Sequence, residues 1–235
     1  MRTILLKFSG PLQSWGTDSH FEVRHTDRHP SKSAVIGLIA ACFGYRRKDD
    51  TNISKLNDLE FAVRVDQSGK ILRDYHIATK YKAKGDFDRT YVTNRYYIED
   101  ATFVVGIGSS DETFLREVLY AIQNPYFQPF MGRRSLPVPS DFILGTSEEN
   151  VIEALTTLPW QASQWYQKDE SGSRPIYADS TLLDGQVNSF RRDKVISFSQ
   201  KNRTFGYRGE GCIWVDLNDE LSKSEHDAFG ALGGD

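Results

Sequence analysis

Three clusters in this 235-residue chain have residue types and spacings suited to holding an anion. In RHTDRHPSKSA, the residues Arg24, His25, Arg28, His29 and Lys32 crowd the start of an apolar run. If that run is helical, its first N–H groups are already electropositive, and cations placed there are unfavourable unless an anion joins them. A phosphate would resolve the conflict, because free N–H groups and several cations together make an anion site. A solvated charge run is the plainer alternative. A zinc site from His20, His25 and His29 fits less well, since zinc sites usually add Cys or carboxylate ligands at tighter spacing.

The second cluster interleaves Tyr75, Tyr81, Tyr91, Tyr96 and Tyr97 with Lys80, Lys82, Lys84, Arg89 and Arg95. Rings in such a mixture can stack on unpaired bases while the cations track phosphates. Tyrosines packing on each other or on a partner subunit give the same pattern. The third cluster is FMGRRSLP, where Gly132 lets the backbone approach a ligand and Arg133 and Arg134 can grip phosphate through paired N–H groups. One arginine of the pair can instead be locked onto carboxylates at the core edge, because adjacent residues point in different directions.

For catalysis the inventory is thin. The chain has no GxSxG, P-loop, HExxH or paired-carboxylate motif. Tyr75-His76 with nearby lysines is the one arrangement to weigh, since a metal-free ribonuclease needs a base for the 2′-hydroxyl and an acid or cation for the leaving group. A strand would send those two side chains to opposite faces, so an ordinary strand histidine is the favoured reading.

The elements that must position these residues follow from periodicity. RTILLKFSG reads as a buried first strand, and PSKSAVIGLIAACFG as a helix capped by Ser31 or Ser33 and ended at Gly44. LEFAVRVD (59–66) and KILRDYHI (70–77) read as strands around a hairpin turn at Gln67-Ser68-Gly69. Residues 78–99 form a protruding hairpin, ATFVVGIG a buried strand, and SSDETFLREVLYAIQNP a second helix capped by Ser110 and stopped at Asn124-Pro125. The order matches the βαββαβ ferredoxin-like layout of RNA-recognition domains, with an insertion between the middle strands. A helix at 148–157 and short turn-rich strands ending in GCIWVDL complete the expected α+β fold, and residues 218–235 read as a polar tail.

Composition is consistent with this. With 39% hydrophobic and 26% charged residues the chain can bury a real core. Cys42 and Cys212 lack disulfide or metal spacing, no apolar run approaches a membrane span, and the start is too quickly polar for a signal peptide, so a soluble cytoplasmic protein without metal or cofactor is expected. The net charge of −3 conceals local fields: residues 191–208 carry six Lys/Arg against one acid, and 216–227 carry five acids against one Lys.

Four blocks in order, GPLQSWG, HPSKSAVIGLIAA, LRDYH and GRRSLP, resemble the CasD family, the crRNA 5′-handle-binding subunit of type I-E Cascade in CRISPR defence. The resemblance runs from about residue 4 to 217 and is strongest in those blocks. It implies a ferredoxin-like RAMP domain over 1–145 with a β-hairpin thumb at about 78–98, a smaller β-rich region over 146–217 packed on it, and the tail. It also implies a non-catalytic subunit that caps the crRNA handle, with CasC-type backbone and CasA-type large subunits as partners, target DNA met only through the complex, and no membrane. Relatives in another CRISPR subtype cleave repeat RNA, so a metal-independent endoribonuclease is the alternative. The residues expected to meet RNA are Arg24, Arg28, His29, Lys32, Ser33, Tyr75, His76, Lys80, Tyr81, Lys82, Lys84, Arg89, Arg95, Tyr96, Gly132, Arg133, Arg134 and Ser135. Gln13, Ser14 and Trp15 match a family block but suit the core equally.

Overall fold

Strand β1 (Thr3–Gln13) begins with the unbroken run TILLKF. Ile4, Leu6 and Phe8 are buried on one face and Leu5 on the other, so the run lacks the polar alternation of a strand covered on one side only. The computed structural model describes residues 1–16, 22–170 and 172–217. After β1 come β2 (Val23–Arg24), α1 (Lys32–Cys42), α2 (Asp50–Lys55), β3 (Glu60–Gln67), β4 (Lys70–Tyr81) and β5 (Phe87–Gly108). Then follow α3 (Glu112–Gln123), β6 (Ile143–Ser147), α4 (Val151–Thr157), α5 (Gln164–Asp169), β7 (Ser173–Asp179), β8 (Ser189–Ser197) and β9 (Thr204–Asp216).

Among the described residues the strands form one sheet in the order β6-β1-β5-β3-β7-β9-β8, with β2 and β4 both paired to β5. All pairs are antiparallel except β2 with β5. Helices α1 and α3 cover one face, where Val35, Ile39, Leu115 and Val118 pack with Phe61 and Phe103. Leu115, Val118 and Ile122 recur on one stripe of α3, as an amphipathic helix requires. Helix α4 covers the other face, with Val151, Ala154 and Leu155 against Ala62, Val104 and Ile176. The expected α+β class holds in this sense.

The expected hairpin turn at 67–69 is absent. Gln67 faces Thr102 and Lys70 faces Glu99, three residues further on along both strands, so β3 and β4 are one bent strand running against the 22-residue β5. Ser-Gly marks a kink here. A Cβ on Gly69 would lie 2.3 Å from the Glu99 carbonyl oxygen, and the Gln67 amide ties across to the Asp100 carbonyl at 2.8 Å. Turns and bulges share the same composition signal, which is why sequence alone misassigns this one. The chain reverses at the far end, where Lys82 N–H donates to the Asp86 carbonyl at 2.8 Å and Gly85 adopts φ +91°.

Other differences are smaller. Asp111, not Ser110, caps α3 by accepting from Phe114 N–H at 3.0 Å. Helix α4 starts at Val151 behind an Asn150–Glu153 capping box, later than the expected 148. Strands β7 to β9 continue the sheet from β3, with Ala62 paired to Ala178 and Val63 to Tyr177. His20 and residues 218–235 lie outside the described residues. No helix among the described residues is long and apolar enough to cross a membrane.

Candidate nucleic-acid interface

The loop carrying Gly132 packs directly against the loop after β1. Ser14 N–H donates to the Met131 carbonyl at 3.3 Å, and a Cβ on Gly132 would fall 1.6 Å from the Ser14 carbonyl oxygen. Gly132 also has φ +82°, so its freedom serves a contact within the chain rather than a ligand. Met131 and Leu136 close the loop through a 2.7 Å hydrogen bond and leave Arg133, Arg134 and Ser135 at its tip. Below it, the Gln13 amide donates to the carbonyls of Ala101 and Phe8 and accepts from the Trp15 indole N–H at 3.0 Å. Trp15 is 1% exposed, edge-on to Phe8. Gln13 and Trp15 therefore belong to the frame, and Ser14 is buried with its hydroxyl 3.4 Å from the Tyr96 carbonyl.

The two arginines part company. The Arg133 guanidinium lies over the Tyr97 ring at 4.0 Å and donates to the carbonyls of Tyr96 (2.9 Å) and Arg24 (3.3 Å). It is a brace between β5 and β2, so of the expected phosphate-binding pair Arg133 takes the structural role, held by carbonyls and a ring rather than by carboxylates. Arg134 is exposed and, among the described residues, has no hydrogen bond or ion pair.

Beside the brace, β2 runs parallel to β5 with Arg24 opposite Arg95. Like charges facing each other across strands repel, and Arg95 Nε is buried without an acceptor. His25 stacks on Tyr96 at 5.4 Å with the rings 15° apart. Arg24, His25 and Arg28 are exposed. A cationic rim thus surrounds a stacked pair of rings where the hairpin leaves the sheet.

The entry to α1 departs from expectation. Lys32 N–H donates to Asp193 Oδ2 at 2.9 Å, so a carboxylate from β8 occupies the helix N-terminus. The Lys32 ammonium is buried against Asp179 (2.8 Å) and the Asn57 carbonyl (2.9 Å). Arg208 bridges Asp193, Asp179 and Glu210, each within 3.0 Å. Arg191 reaches Asp27 at 2.5 Å. Three cations already face four carboxylates, so a phosphate here would add charge of the wrong sign. Lys32, Ser33 and His29 are accordingly withdrawn from the RNA-facing set, all three being buried. The solvated charge run fails for these three as well, and holds only for the exposed Arg24, His25 and Arg28.

Burial, with the Arg191 charge adding to it, pushes the His29 imidazole down to about 3, so it is neutral. Its Nε2 accepts from Arg191 at 2.9 Å, its Nδ1–H faces the Pro30 carbonyl at 3.3 Å, and its ring stacks on Tyr177 at 4.2 Å. The 3.7 Å approach of Glu210 to His29 is therefore not an ion pair. Burial raises the Glu210 carboxyl. Burial alone would also raise Asp193, but the hydrogen bonds and charge of Arg208, with Arg191, bring it below the usual range. Sequence inspection missed Arg191, Asp193, Arg208 and Glu210; the run at 191–208 looked like a basic surface because it holds one acid, Asp193, and its further carboxylate partners Asp27, Asp179 and Glu210 lie outside it.

The β4–β5 hairpin presents two faces. Ile71, Arg73, Tyr75 and Ile77 pair with Ile98, Tyr96, Asn94 and Val92 on one, while Asp74, His76 and Lys80 pair with Arg95, Thr93 and Arg89 on the other. Tyr75 is 58% exposed and His76 half-buried, its Nδ1 3.4 Å from the Thr93 hydroxyl. Their opposite orientation separates the pair weighed for catalysis. Tyr81, Lys82, Lys84 and Arg89 are exposed at the outer end, where Lys80 pairs with Asp88 at 3.0 Å. No cluster of metal ligands occurs among the described residues.

An antiparallel sheet flanked by helices, with a long cationic hairpin rising beside an arginine-rich loop, defines the class of protein. Residues 3–209 match the family model described as CRISPR-associated protein (Cas_Cas5), and the chain belongs to that family. It is 33% identical over 161 residues to the CRISPR system Cascade subunit CasD of Escherichia coli (strain K12), covering 62% of this chain and 71% of that one. A solved chain of a CRISPR RNA-guided surveillance complex is similar at TM-score 0.75 and 28% identity, over 92% of this chain and 90% of that chain. A crystal structure of a Cas protein is similar at TM-score 0.64 and 28% identity, over 92% and 98%.

Proposed function

We propose that this chain is a non-catalytic RNA-binding subunit of a type I-E CRISPR surveillance complex, capping the 5′ handle of the crRNA and helping to set where guide–target pairing begins. One observation carries it: at the root of the hairpin Arg24, Arg28 and Arg134 are exposed and, among the described residues, unmatched, around the His25–Tyr96 stack. Phosphate contacts there position the RNA and the rings receive a base. The strand order β6-β1-β5-β3, with α1 and α3 on one face, supports a ferredoxin-like RAMP core whose middle hairpin is prolonged into the thumb. CasC-type and CasA-type subunits are the protein partners, and target DNA is reached through the complex.

The RNA-facing set is accordingly Arg24, His25, Arg28, Arg95, Tyr96, Arg134 and Ser135 at the root, with Tyr75, His76, Lys80, Tyr81, Lys82, Lys84 and Arg89 along the thumb. The test is binding of a synthetic RNA of the host's CRISPR repeat across a salt series. Arg134→Ala is expected to weaken binding about tenfold and to reduce the salt slope by about 0.7, the loss of one single-strand phosphate contact. Unchanged affinity and slope would remove Arg134 from the interface. Specific cleavage of the repeat in EDTA, abolished by His76→Ala, would instead establish the endoribonuclease.

A further inference from the structure

We propose that Arg191, on β8, is a positioning residue for the RNA interface: it holds the loop between β2 and α1 in the shape that presents Arg24, His25 and Arg28. The inference rests on the RNA-binding reading above and deepens it. Arg191 is only 14% exposed in its side chain and turns inward. Its Nη2 donates to Asp27 Oδ2 at 2.5 Å and its Nη1 to His29 Nε2 at 2.9 Å, while its Nε faces Asp193 at 4.0 Å. Each guanidinium nitrogen thus points at a group of this chain, which leaves the fork poorly placed for a phosphate.

Both main acceptors lie in the 25–31 loop, more than 160 residues away in sequence. The loop is pinned elsewhere too, beyond the stacking of His25 on Tyr96 and of His29 on Tyr177. At its start, the Arg24 carbonyl accepts from the Arg133 brace and Arg24 pairs with Arg95. In its middle, the Thr26 hydroxyl accepts from Trp15 N–H at 2.9 Å and Asp27 N–H reaches the Trp15 carbonyl at 3.4 Å. Arg191 supplies the pin next to Arg28. The side chains left outward between the pins are the exposed Arg24, His25 and Arg28. The loop has no helix or hairpin hydrogen bonds of its own among the described residues, so contacts to the body keep its cationic side chains on one side, and preorganising them removes an ordering cost from binding.

The placement also accounts for the buried network. Asp193 caps α1, Lys32 pairs with Asp179, and Arg208 joins Asp179, Asp193 and Glu210, so β8 and β9 form a rigid base for the Arg191 clamp. The C-terminal strands thereby act on RNA without touching it.

The experiment measures repeat-RNA affinity over a salt series for the full chain and for Arg191→Ala, Arg191→Lys, Asp27→Asn and Arg192→Ala, with melting of each variant. Arg191→Ala and Asp27→Asn are expected to weaken binding about tenfold each with the wild-type salt slope, because a position and not a phosphate contact is lost. The double variant should bind no more weakly than the worse single one. Arg191→Lys, which can still reach Asp27, should recover part of the loss, and Arg192→Ala, exposed on the same strand, should bind as wild type. A slope reduced by about 0.7 in Arg191→Ala would make it a phosphate ligand and overturn the inference. So would wild-type affinity in folded Asp27→Asn, which cuts the same link from the loop side and decides the matter if Arg191→Ala fails to fold. If the unaltered chain shows no salt-dependent RNA binding, the parent reading falls; if it binds and Arg134→Ala weakens it while Arg191→Ala and Asp27→Asn do not, only the clamp falls.

Discussion

Gly132 is the residue whose replacement has the most direct consequence. Its φ of +82° and the 1.6 Å separation between a notional Cβ and the Ser14 carbonyl oxygen mean that alanine must displace backbone, not a pliable side chain. Gly132→Ala is expected to destabilise the chain by about 2–4 kcal/mol, read from denaturant unfolding, since positive-φ strain and overpacking add. A loss below about 0.5 kcal/mol would show that the two loops separate freely. The glycine and the paired arginines were legible in FMGRRSLP; their division of labour was not. Residue types state that Arg133 and Arg134 can bind anions, but only the position of Tyr97 and of two carbonyl oxygens makes the first a brace and leaves the second outward.

At the scale of elements, the thumb is a two-stranded ribbon whose outer part, beyond Thr79 and Thr90, exposes nearly every side chain. It contributes little buried area to the body. Replacing residues 80–89 by a two-residue Asn-Gly turn should therefore shift the melting temperature by less than about 2 °C. The same change removes Lys80, Lys82, Lys84 and Arg89 and should weaken repeat-RNA binding at least about tenfold with a shallower salt slope. A fall in melting temperature beyond about 5 °C would show that the tip packs on the body. The hairpin was visible from its aromatic and basic composition, whereas its root was misplaced, because Ser68-Gly69 serves a kink in a continuous strand. Whether a glycine turns the chain or lets strands approach depends on the carbonyl opposite, here that of Glu99.

For the molecule as a whole, the buried network makes stability pH-dependent. His29 is neutral when folded, with its value pushed down to about 3 by burial and by Arg191, against an ordinary value near 6.5. The unfolded chain then binds the extra proton first, so stability is complete above about pH 6.5 and declines as pH falls toward 3, approaching about 1.4 kcal/mol per unit within that window. His29→Gln should flatten the unfolding free energy between pH 6 and 4 relative to wild type. A parallel profile in the variant would mean that the carboxylates alone set the acid limb. Asp193 adds to the loss at lower pH, since its depressed value makes it stabilising only while ionised.

What the amino-acid order settled by itself is what local physics can settle: the α+β class, the buried first strand, the helices α1 and α3, the cationic aromatic hairpin and the family resemblance of four short blocks. Each depends on periodicity or on residue type within about a dozen positions. Tertiary structure decided which charges face outward. Lys32, His29 and Arg191 look as available as Arg28 and Arg134 along the chain, yet Lys32 and Arg191 are matched by Asp179 and Asp27 across more than 140 residues, and His29 is buried in its neutral form against Arg191. A buried cation needs a partner and an exposed one does not, and in this chain the partners are brought to it only by the pairing of β7, β9 and β8 onto the edge of β3.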